Sequence, residues 1–430
     1  MTGARWSRLR VFRAVRRWLR PGPASPAPPP AAPSPAPPPG PSPATPPGPA
    51  PIPSPAPAPA PTPGPAVPSP PAARVPGARL DRMLSGFAAV LGLATVAVSY
   101  LTVQVGLDVS REAGKRDRET VLSEHYSAAV AQLDSDSVVG RVGGIHSLEQ
   151  IAKPFTKERD DPAQRYRKVV LEILGAFVRQ EAPAAPKSKP KPKPTVTECE
   201  KPRGIRPRAD VQAAMTAVGR RYDPQPQDPV DVHGRNLTGV DLGGRRFDGA
   251  DFAGARLAHG SLKKVHFKGT VLNGADLSGA SLQQAVLDEA KLVRAVLCGA
   301  VLDGAKLNGA GLGGAYLTDA KLGGARMRDA TLVKAHLVGA QLNDAHLEKS
   351  RAVRADFTGA VLSGAHLEGA NLKLATFTRA QLNQADLAGA DLTGAKGLTI
   401  EQLKSVKRIT GDTQLPERFT WSAKGGVRER

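Results

Sequence analysis

Acidic residues, cysteines and catalytic motifs are all scarce in this chain of 430 residues. Its 39 Asp and Glu face 59 Lys and Arg, a net charge of +20. The excess is uneven. Residues 1–20 hold seven Arg and no acid, and residues 183–208 hold eight Lys or Arg against Glu198 and Glu200. Basic stretches that need not fold suit contact with anionic lipid or nucleic acid, or serve as solvated linkers. The two cysteines, Cys199 in a Lys/Pro-rich stretch and Cys298 at an outward position, offer no disulfide framework, which favours a reducing compartment. With no nucleophile–base arrangement, P-loop or zinc motif, no enzyme activity, cofactor or metal site is expected.

Other absences partition the first half. Residues 21–71 contain 27 prolines and no aromatic residue, so this stretch has no core and reads as an extended spacer. Residues 83–107 lack any charge between Arg82 and Asp108, a length that spans a bilayer as a helix. In residues 5–20, Val11, Phe12, Val15, Trp18 and Leu19 segregate from Arg10, Arg13, Arg16, Arg17 and Arg20 on a helical wheel, the pattern of a membrane-surface helix. Beyond Asp108, residues 138–151 and 166–178 show helical apolar spacing, punctuated by Pro154 and Pro162.

What the second half has in abundance is a period of five. Counting by fives from Leu237 to Leu392, 31 of 32 positions are Leu, Phe or Met, the exception being Ala352. Two residues earlier stands a small residue, Ala in 25 of the 29 places from Ala250 to Ala390. A helix needs apolar spacings of three and four, and a strand needs two. A step of five fits neither. It calls for a chain that turns a corner every five residues and always presents the same two side chains inward. The frequent Gly two places after the Leu, as at Gly249 and Gly254, suits such corners. In this frame Gly309, Gly311 and Gly314, which spell G-x-G-x-x-G, are corner and outward glycines rather than a dinucleotide-binding loop. His346 and His366 fall twenty residues apart and could pair on a metal, but no Cys or carboxylate lies one coil to either side except Asp386, so they read as surface.

Units such as Ala275-Asp-Leu277-Ser-Gly279 and Ala385-Asp-Leu387-Ala-Gly389 resemble the pentapeptide-repeat family. The string from Arg141 to Ile151 is similar to the juxtamembrane segment of membrane-anchored actinobacterial members. The resemblance implies an all-β solenoid, a right-handed quadrilateral β-helix of about eight coils, here preceded by a transmembrane helix and a small helical module. The expected domains are a basic leader (1–20), a Pro-rich spacer (21–82), a transmembrane helix (83–107), a helical module (108–181), a Lys/Pro linker (182–208), a capping helix and lead-in (209–234), the repeat (235–396), and a capping helix with tail (397–430). One expectation beyond the rule is a thin spot or local bulge at residues 350–354, where Ser350 and Ala352 replace Ala and Leu and Val353 is a candidate to turn inward.

The function expected is a membrane-anchored, non-enzymatic protein-interaction scaffold, single-pass, with the repeat leaning to the cytoplasmic side. Its partners would be membrane lipid through one helix and an unidentified protein; self-association stays open, and no small-molecule substrate is expected. The alternative from the family is a DNA-mimicking, gyrase-interacting protein, or else nucleic-acid or anionic-lipid contact through the basic segments. Mimicry needs a sustained negative face. Asp241, Asp251, Asp276 and Asp356 are instead interspersed with Arg246, Arg256, Lys291 and Arg351 at equivalent positions.

Overall fold

In the computed structural model, residues 115–153, 162–185, 206–220, 230–423 and 425–430 are described. The expected basic leader, Pro-rich spacer and membrane-spanning segment 83–107 lie outside them, as does most of the Lys/Pro linker.

Four helices precede the repeat: α1 (Lys115–Leu133), α2 (Val138–Ile151), α3 (Pro162–Glu181) and α4 (Ala209–Gly219). Ser137 caps α2 by accepting from the Gly140 amide, and Pro162 opens α3 where its missing N–H costs nothing. Leu122, Tyr126 and Leu133 of α1, Ile145, Leu148 and Ile151 of α2, Val170 and Leu174 of α3, and Met215 and Val218 of α4 share one core with the repeat. Helices α1 and α2 approach so closely that a Cβ on Gly144 would stand 2.7 Å from the Ala129 carbonyl oxygen. A buried pair, Arg141 Nε to Asp210 Oδ2 at 2.7 Å, ties α2 to α4, and Arg208 reaches the same oxygen at 2.6 Å.

From Asp231 to Thr376 each residue before an inward side chain pairs in parallel with the residue twenty places on, as in Lys291 with Gly311 and Gly311 with Thr331. The Leu amide donates to the next coil, Leu312 N–H to Thr331 O at 2.7 Å, while the preceding residue donates back, Gly311 N–H to Ala290 O at 2.9 Å. Inward Leu and Ala are buried throughout, and Phe357 and Phe377, one coil apart, stack with centroids 5.2 Å apart at 7°. The residue two places after each Leu has positive φ: Gly at most corners, but also Lys264, Arg294, Lys334 and Arg354 near 60°. Each non-glycine corner costs roughly 1–2 kcal/mol, tolerated because flanking coils fix the backbone on both sides.

Both ends are covered. Gln212 of α4 accepts from the Asp241 amide at 2.9 Å and donates to its carbonyl at 2.8 Å, standing in for a missing coil. At the far end, α5 (Ile400–Ser405) begins at a capping box between Thr399 and Gln402, and the Gln402 amide group donates to Phe377 O and Ala380 O.

Several expectations need correction. The fold is not an all-β solenoid behind a transmembrane helix. Helices form the named elements ahead of the repeat, and the one sheet among the described residues is two-stranded and antiparallel, β1 (Phe419–Ser422) with β2 (Gly426–Glu429). The repeat is stitched by single-residue bridges instead of strands, because a five-residue side that spends two residues on a turn leaves no room for consecutive pairs. Among the described residues no helix is long and apolar enough to cross a membrane, so the transmembrane architecture, single-pass location and lipid contact have no support. Cys298 is not an outward thiol: it is buried in a column with Thr238 and Ala258, and it is disulfide-bonded. A disulfide-bonded Cys298 does not favour a reducing compartment. Nor is there a bulge at 350–354. The bridges and turns run through without interruption, and Val353 stays half-buried on the outside.

Candidate interaction face

Because each side shows its outward residues at the positions before, just after and two after the Leu, residues twenty apart form columns on one face. One face is distinct in chemistry. Its bridging column reads Asp251, Val271, Lys291, Gly311, Thr331, Arg351, Asn371 and Asp391. The column after the Leu brings Val293, Val333, Val353 and Lys373, and the corner brings Arg294, Lys334, Arg354 and Leu374. Between Asp251 and Asp391 this face carries six exposed cations and no acid. Val293 and Leu374 are 44% and 41% exposed, two of the largest apolar exposures among the described residues. Lys373 pairs with Asp391 at 3.0 Å, closing the cationic stretch. Burial would raise the Asp391 carboxyl, but hydrogen bonds from Thr393 and Lys373 outweigh it and hold the group below its usual value.

Lys334 and Arg354 stand one coil apart at ~4.8 Å, with Arg351 and Lys373 in the same and next coils, and such cations repel one another unless an acidic counterpart is supplied. Exposed Val and Leu among them offer apolar contacts that ordinary solvated surface does not. The arrangement can bind; it has no group placed to catalyse. Sequence reading missed this face because it tested only the residue before each Leu. Writing the repeat in rows of twenty would have aligned Lys291 with Arg351 and Arg294 with Lys334 and Arg354.

The glycines of the G-x-G-x-x-G string occupy two corners, Gly309 and Gly314, with Gly311 in a bridge. His346 and His366 do come together, rings stacked at 4.7 Å, on a different face.

The family model for pentapeptide repeats matches residues 236–274, 275–312, 312–348 and 355–394. HetL, a pentapeptide-repeat protein involved in heterocyst differentiation regulation from the cyanobacterium Nostoc sp. strain PCC 7120, is 31% identical over 43% of this chain and 87% of its own, with a TM-score of 0.28. The chain belongs to the pentapeptide-repeat family. As a pentapeptide-repeat protein it is not an enzyme. A second Nostoc pentapeptide-repeat protein, alr5209, is 30% identical over 27% of this chain and 77% of its own (TM-score 0.21). QnrB1, a plasmid-mediated fluoroquinolone resistance protein, is 18% identical over 42% of this chain and 92% of its own (TM-score 0.31). No curated protein matches. The expected kinship with membrane-anchored actinobacterial members is corrected accordingly, since these relatives are cyanobacterial or plasmid-borne.

Proposed function

We propose that this pentapeptide-repeat protein is a non-enzymatic scaffold that binds an acidic protein surface through the face bearing Lys291, Arg294, Lys334, Arg351, Arg354 and Lys373. The observation that carries the reading is the exposed cationic run with Val293 and Leu374 set into it. Exposed Val293 and Leu374 stand in the first and last coils of the run, adding apolar contact beside charges that would steer an acidic partner. The membrane anchor of the original expectation has no part in it.

The test places a photo-crosslinking residue at Thr331 in the full chain in cells, with the same residue at Thr318 on another face as control. Adducts specific to Thr331, lost when Lys291, Arg351 and Arg354 are reversed to Glu, support the proposal. Adducts indifferent to reversal would count against it.

A gyrase-interacting role is the second reading, favoured by membership of a family in which such proteins occur. Supercoiling by gyrase in the presence of the full chain decides it. An altered rate that the triple charge reversal leaves unchanged would make gyrase contact through another face the reading to keep.

A further inference from the structure

His346 and His366 occupy one column, bridged backbone to backbone, with rings parallel within 3° and centroids 4.7 Å apart. Their neighbours across the inward Leu are Glu348 and Glu368. His346 Nδ1 lies 3.1 Å from Glu348 Oε1, and His366 Nδ1 lies 3.4 Å from Glu368 Oε1. One nitrogen from each ring and one Glu348 oxygen stand within 4.8 Å of one another. Independently, Oε2 of Glu348 and Oε2 of Glu368 are sealed from solvent and have no hydrogen-bond partner. Two buried, unpartnered carboxylate oxygens beside two imidazoles are an unmet demand for positive charge.

We propose that His346, Glu348 and His366, with Glu368 in reserve, form a site for a divalent transition-metal ion. Imidazole nitrogen with carboxylate oxygen suits zinc, nickel or copper ahead of calcium or magnesium. Bonds of roughly 2.0–2.2 Å require the donors to draw closer than they now stand. The imidazoles, 41% and 38% exposed, have room to pivot while the bridge holds their backbones in register.

The surrounding cations do not satisfy the cluster. Arg408 is engaged by Asp386 at 2.8 Å and reaches Glu368 Oε1 at 3.7 Å, leaving Oε2 untouched. The Glu348 carboxyl is drawn below its usual value: burial opposes this, but its own backbone amide, His346 and the charge of Arg328 outweigh burial. The other His-carboxylate cluster, Asp231, His233 and Asp251, contrasts with it. There Arg179 already stands 3.8 Å from the Asp231 carboxylate, His233 lies 2.6 Å from it, and none of its carboxylate oxygens is orphaned.

Zinc chloride titrated calorimetrically into the metal-stripped full chain tests the proposal, with cobalt absorption as a second readout of the ligand set. One equivalent is expected to bind, and His346→Ala and His366→Ala should each weaken binding roughly tenfold or more. Glu348→Gln should weaken it while leaving the fold intact by circular dichroism, and His233→Ala should leave it unchanged. Absence of stoichiometric binding, or binding that survives His346→Ala with His366→Ala, would overturn the assignment.

Discussion

Ser350→Ala should make the protein more stable, although it deletes a polar group from a buried site. Ser350 occupies an inward position that is Ala one coil before, at Ala330, and one coil after, at Ala370. Its backbone is fully engaged: the amide donates to Leu347 O at 3.1 Å and the carbonyl accepts from the Asn371 amide at 2.8 Å. Its hydroxyl has no partner. A buried, unsatisfied hydroxyl costs about 1–3 kcal/mol, so its removal should return on the order of 1 kcal/mol or more. Thr270 is the internal control, buried in the same kind of position, with its hydroxyl donating to Phe247 O at 2.8 Å. Thr270→Ala should therefore destabilise by roughly 0.5–1.5 kcal/mol, the usual net worth of such a bond. Urea unfolding followed by far-ultraviolet circular dichroism reads both. Because stacked repeats respond mainly through nearest neighbours, exchange at the Arg351 and Asn371 amides should slow in Ser350→Ala, about tenfold for each ~1.4 kcal/mol. An unchanged or lowered midpoint for Ser350→Ala would refute the reasoning. So would equal signs for the two variants.

The corner at Gln384, a non-glycine residue with φ of 58°, should gain roughly 0.5–1 kcal/mol on Gln384→Gly, read from the same urea midpoint. Asp210→Ala should cost about 3–5 kcal/mol by stranding buried Arg141, with exchange protection lost first in α2 and α4. Burial pushes the Asp210 carboxyl up, but hydrogen bonds from Arg141 and Arg208 outweigh it and lower it below 3.8. The stability it contributes is thus complete above that value and lost as pH falls through the depressed one; a helical module equally stable on both sides of that window would contradict the ion pair. Iodoacetamide should modify Cys298 only after reduction, measured by peptide mass spectrometry under denaturing conditions.

How much was legible follows from where the determinants lie. Period-five Leu and Ala specify the inward set, since their spacing is a property of the chain alone, and Thr399 with Gln402 announced a helix start in four residues. The one-residue bridges were not legible, because the number of residues a corner consumes is a backbone matter that apolar spacing does not report. Nor was the burial of Cys298, since Thr238 and Ala258 at the same outward position forty and more residues earlier are buried too, whereas the spacing assigns that position to the surface. The His–Glu cluster was half visible. His346 and His366 stood out by their separation, yet Glu348 and Glu368 were passed over because partners were sought one coil away instead of two residues along the same side.

The twenty-residue register also governs which changes in length this protein can absorb. Losing a single pentapeptide, such as residues 349–353, would keep every inward Leu and Ala in phase and leave the stack able to close. Yet everything downstream would turn by one side: His366 would leave the column of His346, and Arg354 and Leu374 would together leave that of Lys334. A loss or duplication of four units would shorten or extend the stack while preserving every column. Folding therefore counts in fives, whereas surface chemistry counts in twenties, and a lineage that gains or loses repeats singly would keep its architecture while reshuffling its binding faces.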